Sequence, residues 1–249
     1  MNGYDRFGEG PVHVLALHGW FGDERTFRPL EVATALDRFT YVTMAFRGYG
    51  ASRDLTGTYT IEEIAADALA LADALGWGRF HLLGHSMGGK AAQLLAALAP
   101  ERVEKIVALA PVPAGATQFD AGSRALFEGA TTQLDNRRRI IALSTGNRLT
   151  SAWVDRVARG SLRANDEAFA AYFRSWANID LSARVAGSTT PVKVVIGRYD
   201  LSITERLMAN TILKWFQNHE IVVMDNAGHY PMDETPIATA TAIEAFLTA

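Results

Sequence analysis

The sequence predicts an α/β fold: a mostly parallel central sheet flanked by helices, with one helical insertion. Three observations support this prediction. Six short apolar runs alternate along the chain with helical segments, an order that is typical of βαβ units. Several of these runs end directly in turns that contain glycine and polar residues. The chain has 249 residues, 49% of them hydrophobic, so it is long enough to bury one sizeable core.

The predicted strands are short runs of apolar residues, many of them β-branched, as expected for strands that are buried on both faces. Each run is bounded by glycine, proline or polar residues, which favour turns. In chain order the predicted strands cover residues 12–17, 39–46, 80–83, 103–110, 192–196 and 221–224.

The predicted helices lie between these strands. Between Thr60 and Leu75 an apolar residue recurs every three or four positions, which indicates a helix with one buried face. Thr60 and Glu63 have the spacing of a capping box at its start. In chain order the predicted helices cover residues 25–36, 60–75, 87–98, 204–216 and 237–247.

Residues 114–188 interrupt the alternation, because they contain helical patches and no strand-like run. A segment of this length is not a bare loop in a compact domain, so we interpret it as a helical insertion over one end of the sheet. Each aromatic side chain in it is expected to serve internal packing first, although together they would give a lid its apolar underside. These side chains are Phe119, Phe127, Trp153, Phe169, Tyr172, Phe173 and Trp176.

Composition and charge exclude several classes of partner. The formal net charge is −3, and the one basic cluster, Arg137 to Arg139, is interpreted as the solvated face of a helix. Neither a nucleic acid nor a membrane surface is therefore an expected partner. There are no cysteines, so no disulfide or thiolate metal site is expected, and no cofactor is predicted. The start of the chain lacks the apolar core of a signal peptide, and no apolar run is long enough to span a membrane, so we expect a cytoplasmic protein.

The stretch LLGHSMGG at residues 82–89 contains the pattern Gly-x-Ser-x-Gly, formed by Gly84, Ser86 and Gly88. This spacing suits a sharp strand-to-helix turn that holds a hydroxyl group away from the backbone. The alternative is a glycine-rich loop that only needs residues tolerant of positive φ. Because the motif is short, the rest of the chain has to decide between the two.

Polar residues follow several other predicted strands. In a parallel sheet with crossover helices, ligands bind at the carboxyl ends of the strands. His18 follows the first strand, Ser86 the third, Asp200 the fifth and His229 the sixth. A nucleophile, an acid and an imidazole are therefore expected at one edge of the sheet, and this convergence favours chemistry over a plain glycine loop.

A serine hydroxyl needs a base during attack, and the base needs a carboxylate that fixes its tautomer. His229 is the predicted base, because it follows a strand and the small residues before it let the backbone bring it inward. Asp200 is the predicted orienting acid; its alternative role is to cap the helix that begins near Thr204. The weaker candidates are His13, His81, His85 and His219 for the base, and Asp225 and Asp180 for the acid.

Two backbone amides are predicted to stabilise the oxyanion of a tetrahedral intermediate. Met87 N–H lies at the start of the helix behind Ser86, and Trp20 N–H lies in the HGWFGD loop after the first strand. Gly19 gives this loop room to turn, and His18 is expected to brace it by hydrogen bonds.

Together these residues resemble the α/β-hydrolase fold superfamily, which uses the chain order of Ser86, Asp200 and His229. The motifs that carry the resemblance are HGWFGD, FRGYGAS, GHSMGGK, GRYD and NAGHYPMDETP. The resemblance covers nearly the whole chain outside the insertion and is greatest to small cytosolic bacterial serine esterases with a helical cap. It implies a hydrolase core at 1–113 and 189–249 and a cap at 114–188, with Trp20 and Met87 as the oxyanion donors.

The sequence departs from the family pattern in two places. Many relatives have Asp two residues before the Arg-Gly pair, where this chain has Ala45, so we expect altered bracing of that loop. Only about ten residues precede the first predicted strand, so the antiparallel strands that usually open the sheet are expected to be partly missing. Neither departure touches the proposed catalytic residues.

The function that these residues favour is a serine hydrolase acting through an acyl-enzyme on an ester or lactone of a small, largely apolar molecule. Ser86 excludes the chemistries of this fold that need a carboxylate nucleophile. Three alternatives stay open: cleavage of a carbon–carbon bond next to a ketone, peroxide-dependent acyl exchange, and a ligand-sensing receptor that retains the triad. Relatives with the first activity more often have Asn at the position of His85. An inactive scaffold is disfavoured because no triad position is replaced, and the oligomeric state is not predicted.

Overall fold

The computed structural model describes all residues from Met1 to Ala249. Its seven strands are β1 (Tyr4–Phe7), β2 (Val12–Leu17), β3 (Phe39–Met44), β4 (Phe80–His85), β5 (Val103–Leu109), β6 (Val192–Gly197) and β7 (His219–Met224). They form one sheet in the order β1-β3-β2-β4-β5-β6-β7. The strands β2 to β7 run parallel, while β1 is antiparallel to β3. The predicted fold class, a mostly parallel sheet flanked by helices, is confirmed.

The edge strand β1 was not predicted, because it carries no apolar run. Its sequence is YDRF, and only Phe7 among its four residues is buried. The segment before it also secures the loop after β3, since Ala45 N–H donates to Gly3 O at 2.9 Å and Asn2 Nδ2 donates to Ala45 O at 3.0 Å. The N-terminal segment therefore braces the loop at Ala45.

The helices are α1 (Ile61–Ala74), α2 (Met87–Leu98), α3 (Ala121–Ala130), α4 (Leu134–Ser144), α5 (Ser151–Gly160), α6 (Asp166–Asn178), α7 (Ser182–Val185), α8 (Glu205–Asn210), α9 (Ile212–Trp215), α10 (Pro231–Glu234) and α11 (Pro236–Leu247). All residues of β3, β4 and β6 are buried, as expected when helices cover both faces of a parallel sheet. None of the helices combines the length and the apolarity needed to cross a membrane.

Two predicted helices differ from the structure. The segment predicted as a helix at 25–36 contains only a 3-10 turn at Arg28–Ala33. Pro29 lacks the N–H that an α-helix would donate to Arg25 O, and Arg28 N–H takes that acceptor instead. The helix predicted at 204–216 is divided into α8 and α9 at Thr211, whose hydroxyl donates to Leu207 O at 2.6 Å and competes for a helical acceptor.

The predicted cap at the start of α1 forms with one change of partner. Thr60 Oγ1 accepts from Glu63 N–H at 3.2 Å. The Glu63 carboxylate accepts from the amides of Tyr59 at 2.7 Å and Thr58 at 3.0 Å, not from that of Thr60. The hydrogen bond that Glu63 returns is thus displaced toward the N-terminus, and its carboxylate satisfies the two amides just before the cap residue.

The segment between β5 and β6 contains α3 to α7 and no strand. The chain enters this segment at residues 114–117 and leaves it at residues 176–181, and we call these two stretches the neck. The two stretches are hydrogen-bonded to each other, since Thr117 N–H donates to Ala177 O at 2.9 Å and Leu181 N–H donates to Ala114 O at 2.8 Å. The insertion therefore leaves and rejoins the rest of the chain at one place.

The interpretation of the arginine cluster as a solvated face is wrong for its first member. Arg137 is buried, with its guanidinium 3.8 Å from the centre of the Phe169 ring, and it donates to Ala130 O, Thr131 O and Ser161 Oγ. Consecutive residues of a helix point in different directions, so one of three adjacent arginines faces the interior while Arg139 stays exposed. Burial of such a charge needs this full set of acceptors.

Candidate active site

Ser86 occupies the turn between β4 and α2. Its φ of 52° and ψ of −116° lie in a region that a residue with a side chain rarely adopts. Its backbone is held there by four hydrogen bonds: its N–H donates to Leu109 O at 3.0 Å, and its carbonyl accepts from the amides of Gly89, Lys90 and Val112. The serine is therefore kept in a strained turn by the surrounding structure.

The glycines of the motif are required for close packing and not for positive φ, since neither Gly84 nor Gly88 has one. A Cβ on Gly84 would lie 2.7 Å from Gly88 O, and a Cβ on Gly88 would lie 2.1 Å from Leu17 O. The alternative of a loop that merely tolerates positive φ does not account for this arrangement. The glycines allow α2 to begin directly against the neighbouring strand with Ser86 at the apex.

Asp200 and His229 are brought into direct contact by the turns after β6 and β7. His229 Nδ1 donates to Asp200 Oδ2 at 2.5 Å, and the Asp200 carboxylate is fully buried. Its other oxygen, Oδ1, accepts from the amides of Ser202 at 2.9 Å and Ile203 at 3.0 Å. The cap of α8 is Thr204 itself, so the alternative role for Asp200 as that helix cap is not observed.

His229 and Ser86 line the same cavity. Because Nδ1 of His229 is engaged by Asp200, Nε2 is the ring nitrogen left without a partner in the protein. The structure holds no hydrogen bond between Nε2 and Ser86 Oγ. Such contacts are often long before substrate binds.

The other acids considered from the sequence do not contact His229. Asp225 forms an ion pair with Arg198, at 2.6 Å, on the surface. Asp180 lies in the neck, where its Oδ1 accepts from the amide of Ser182 at 2.9 Å.

The alternative bases are also placed elsewhere. His13 stacks on the Trp77 ring with 4.5 Å between ring centres. His81 is buried in β4, and its Nε2 lies 3.4 Å from the carboxylate of Glu104 in β5. His219 makes a hydrogen bond with the carbonyl of Phe216.

His85 is a supporting residue whose role the sequence did not reveal. Its Nε2 donates to the backbone carbonyl of His229 at 2.8 Å, so it fixes the loop that carries the imidazole. Burial lowers the pKa of His85 well below its usual range, which keeps the ring neutral. Its position beside Ser86 at the end of β4 was the only signal available, because the contact joins residues that are far apart in the sequence.

The loop after β2 passes directly over Ser86. A Cβ on Gly19 would lie 3.1 Å from Ser86 Cβ and 2.8 Å from His85 Nδ1, so only glycine fits there. The amide of the next residue, Trp20, has no acceptor within the protein. The Met87 amide is the first of α2, and a helix leaves its first amides without intrahelical partners. Two free donors therefore flank Ser86.

The side chain of Trp20 points into the insertion while its backbone stays beside Ser86. Its indole N–H donates to Phe169 O at 2.8 Å, and its ring stacks on Phe169 with 4.4 Å between ring centres. Phe173 and Trp176 also pack against it. The aromatic residues of the insertion are thus engaged mainly in packing, as predicted, and they secure the loop that carries a candidate oxyanion donor.

His18 braces the same loop from below, as expected from the sequence. Its Nδ1 donates to Gly19 O at 2.9 Å, and its Nε2 accepts from the Phe46 amide at 3.3 Å. These two bonds require a neutral ring with the proton on Nδ1. Burial of the ring lowers the pKa of His18 to about 4.

We expect the protein to lose stability as the pH falls below about 6.5, where histidine protonates in an unfolded chain. Burial holds the pKa of both His18 and His81 near 4, so the unfolded state binds these protons first. The contribution of each ring to the free energy of unfolding is fully present above about pH 6.5. It falls by about 3 kcal/mol as the pH decreases from 6.5 to 4. Urea unfolding between pH 7 and 4 measures this. A His81→Gln variant should show a shallower decline, and an equally steep one would contradict the account.

The cavity that contains Ser86 and His229 has a volume of about 1020 Å³. Its wall includes apolar and aromatic side chains of the insertion, among them Phe119, Phe127 and Trp176. Several charged side chains that reach it are paired: Arg156 with Asp233 at 2.6 Å, and Arg163 with Asp23 and Glu24. No group of three or more histidine or carboxylate side chains is arranged to hold a metal ion.

A parallel sheet with a serine at a strained strand-to-helix turn, and an Asp–His pair from the last two strands, defines the class of α/β hydrolases. A model of the alpha/beta hydrolase fold family matches residues 12–236. The chain belongs to this family.

Individual relatives are similar to this chain over different lengths. It is 26% identical over 253 residues to a 2-(acetamidomethylene)succinate hydrolase of Mesorhizobium japonicum, covering 97% of this chain and 90% of that protein. It is 40% identical over 105 residues to a serine hydrolase-like protein of Danio rerio, a match that spans 40% of this chain and only 32% of that protein's length. The structure of an esterase from Exiguobacterium antarcticum superposes with a TM-score of 0.87 at 18% identity, covering 99% of this chain and 95% of that one. At this identity the likeness concerns the fold.

Proposed function

We propose that this protein is a serine hydrolase that cleaves a carboxylic ester or lactone of a small, largely apolar molecule through an acyl-enzyme. The observation that carries the proposal is that Ser86, at its strained turn, lines one cavity with His229, whose ring is oriented by the buried carboxylate of Asp200. A nucleophile, a base and an orienting acid are what acyl transfer needs.

In the first half-reaction, Ser86 Oγ attacks the carbonyl carbon while His229 Nε2 accepts the hydroxyl proton. The negative charge that develops on the carbonyl oxygen is stabilised by the N–H groups of Trp20 and Met87. Neither group is hydrogen-bonded to another acceptor in the protein. The bond to the leaving oxygen then breaks, and the imidazolium of His229 returns its proton to that oxygen. Asp200 remains ionised and stabilises the imidazolium.

In the second half-reaction, His229 Nε2 takes a proton from water, whose oxygen attacks the acyl carbon. The same two amides hold the second oxyanion. Ser86 Oγ leaves with the proton that His229 returns, and the acid product departs. No redox step or outside reactant other than water is needed for this sequence.

The division of the chain follows from the same proposal. Residues 1–113 and 189–249 form the hydrolase core, and residues 114–188 form a cap that closes the cavity and sets the size of the substrate. Its support is that the insertion contains only helices and contributes Phe119, Phe127 and Trp176 to the cavity wall. An apolar acyl or alcohol group is the partner that such a wall favours.

A substrate panel on the wild type and a Ser86→Ala variant tests the proposal. It contains p-nitrophenyl esters of increasing acyl length, lactones, and a substrate of carbon–carbon bond hydrolases. We expect many turnovers on short-chain esters or lactones by the wild type and none by the variant. Turnover of the carbon–carbon substrate alone would contradict ester specificity, and a single slow acylation without release would indicate a receptor.

A further inference from the structure

A buried lysine lies directly behind the cavity wall. Lys90 is in the first turn of α2, four residues after Ser86, and it is fully buried. Its backbone amide donates to Ser86 O at 3.3 Å, so its main chain is part of the turn that holds the nucleophile. Its charge has no part in the mechanism proposed above, and a buried ammonium needs hydrogen-bond acceptors to offset the cost of leaving water.

All three hydrogen bonds of the Lys90 ammonium go to the neck of the insertion. Nζ donates to Gly115 O at 2.9 Å, where the chain enters, and to Trp176 O at 2.9 Å and Ile179 O at 2.8 Å, where it leaves. Trp176 O and Ile179 O lie at the C-terminal end of α6, where carbonyls lack intrahelical partners and a cation is favourable. One side chain is therefore hydrogen-bonded to both the entering and the leaving stretch of the neck.

The ammonium is matched to this site. It has three N–H donors and meets three acceptors, and no carboxylate is hydrogen-bonded to it. Desolvation lowers the pKa of Lys90 to about 8, with attraction from Asp180 and Glu62 opposing the shift, so the proton is still present at pH 7. Nearby Gln93 donates to Gly89 O within α2 and to Val112 O, and it accepts from the Ala114 amide, so it reaches the entering side of the neck but not the leaving side.

The neck also forms part of the catalytic cavity. Gly115 and Trp176, whose carbonyls Lys90 holds, both line it together with Ser86. We infer that Lys90 is a positioning residue that holds both ends of the insertion against α2, the helix that begins directly after Ser86. It thereby fixes the cavity wall against which the larger group of the substrate packs. The inference rests on the proposed function only for its effect on substrate selectivity.

A Lys90→Met variant tests this, because methionine is apolar and of similar length but donates no hydrogen bond. Lys193→Met is the control, since Lys193 is also buried and its ammonium contacts Ala242 O at 3.0 Å and the Glu220 carboxylate at 3.0 Å, both away from the neck. Lys90→Gln is the milder second variant in case Lys90→Met does not fold. The first readout is hydrogen exchange of the Thr117 and Leu181 amides, which form the bonds across the neck.

We expect these two amides to exchange about tenfold faster in both Lys90 variants, and at the wild-type rate in Lys193→Met. We also expect kcat/KM for p-nitrophenyl octanoate to fall about tenfold more than that for the acetate, mainly through KM. Unchanged exchange, or an unchanged octanoate-to-acetate ratio, would overturn the inference. If the wild type hydrolysed no ester at all, the proposed function would be wrong. The hydrogen-exchange rates of the two neck amides would then be the measurement that tests the role of Lys90.

Discussion

Replacing Ser86 by alanine is expected to abolish ester hydrolysis, with a fall in kcat on the order of 10⁵- to 10⁶-fold. Without Oγ there is no nucleophile for His229 to activate, and the free amides of Trp20 and Met87 stabilise only the slow attack of water. Initial rates with p-nitrophenyl acetate, corrected for spontaneous hydrolysis, measure the effect.

The fold should survive this substitution. The contacts that hold residue 86 at positive φ are made by its backbone, with Leu109 O on one side and the amides of Gly89, Lys90 and Val112 on the other. Alanine retains all of them, so the thermal midpoint should stay within a few degrees of the wild type. Activity retained in a well-folded Ser86→Ala protein would mean that the nucleophile lies elsewhere.

Replacing Asp200 by asparagine is expected to lower kcat by about 10⁴-fold. The Asp200 carboxylate accepts a hydrogen bond from Nδ1–H of His229, whereas an amide group can present its own N–H to that nitrogen. The ring would then carry its proton on Nε2 and could not accept one from Ser86. Because Oδ1 can still accept from the amides of Ser202 and Ile203, the turn itself should persist.

Asp225→Asn is the matched control for this prediction. Asp225 also follows a strand and lies closer to His229 in sequence, but its partner is the exposed Arg198. We expect its kcat to remain within about twofold of the wild type, because surface ion pairs contribute little. A larger loss in Asp225→Asn than in Asp200→Asn would show that the acid has been assigned to the wrong residue.

The sheet and its candidate site were predictable because both follow from local pattern. Buried parallel strands are continuous apolar runs, and the residues that end them meet at one edge whatever lies between. Ser86, Asp200 and His229 could therefore be placed near one another, and the structure shows the Asp200–His229 contact directly. Asp200 was preferred to Asp225 because Asp225 lies only a few residues before His229, at a strand end from which its carboxylate would reach back to the ring with difficulty.

What could not be predicted depends on contacts between distant parts of the chain. Nothing near Arg137 in the sequence indicates that its guanidinium lies over Phe169, and nothing near Lys90 indicates three carbonyls of the neck. The strand β1 pairs through its backbone and buries only Phe7, so its side chains carry no periodic signal. The prediction of a helix at 25–36 was wrong for a local reason. Pro29 has no amide hydrogen, and the apolar pattern used for the prediction does not take this into account.

Covalent labelling gives the most direct test of the central claim, that His229 and Asp200 make the hydroxyl of Ser86 a nucleophile. An excess of a fluorophosphonate is added to the wild type and to His229→Ala, and the intact and digested proteins are examined by mass spectrometry. The account predicts one adduct on the wild type, on the peptide that contains Ser86, and almost none on the variant over the same time. Equal labelling of Ser86 in both proteins, or an adduct at another residue that accompanies loss of activity, would contradict it.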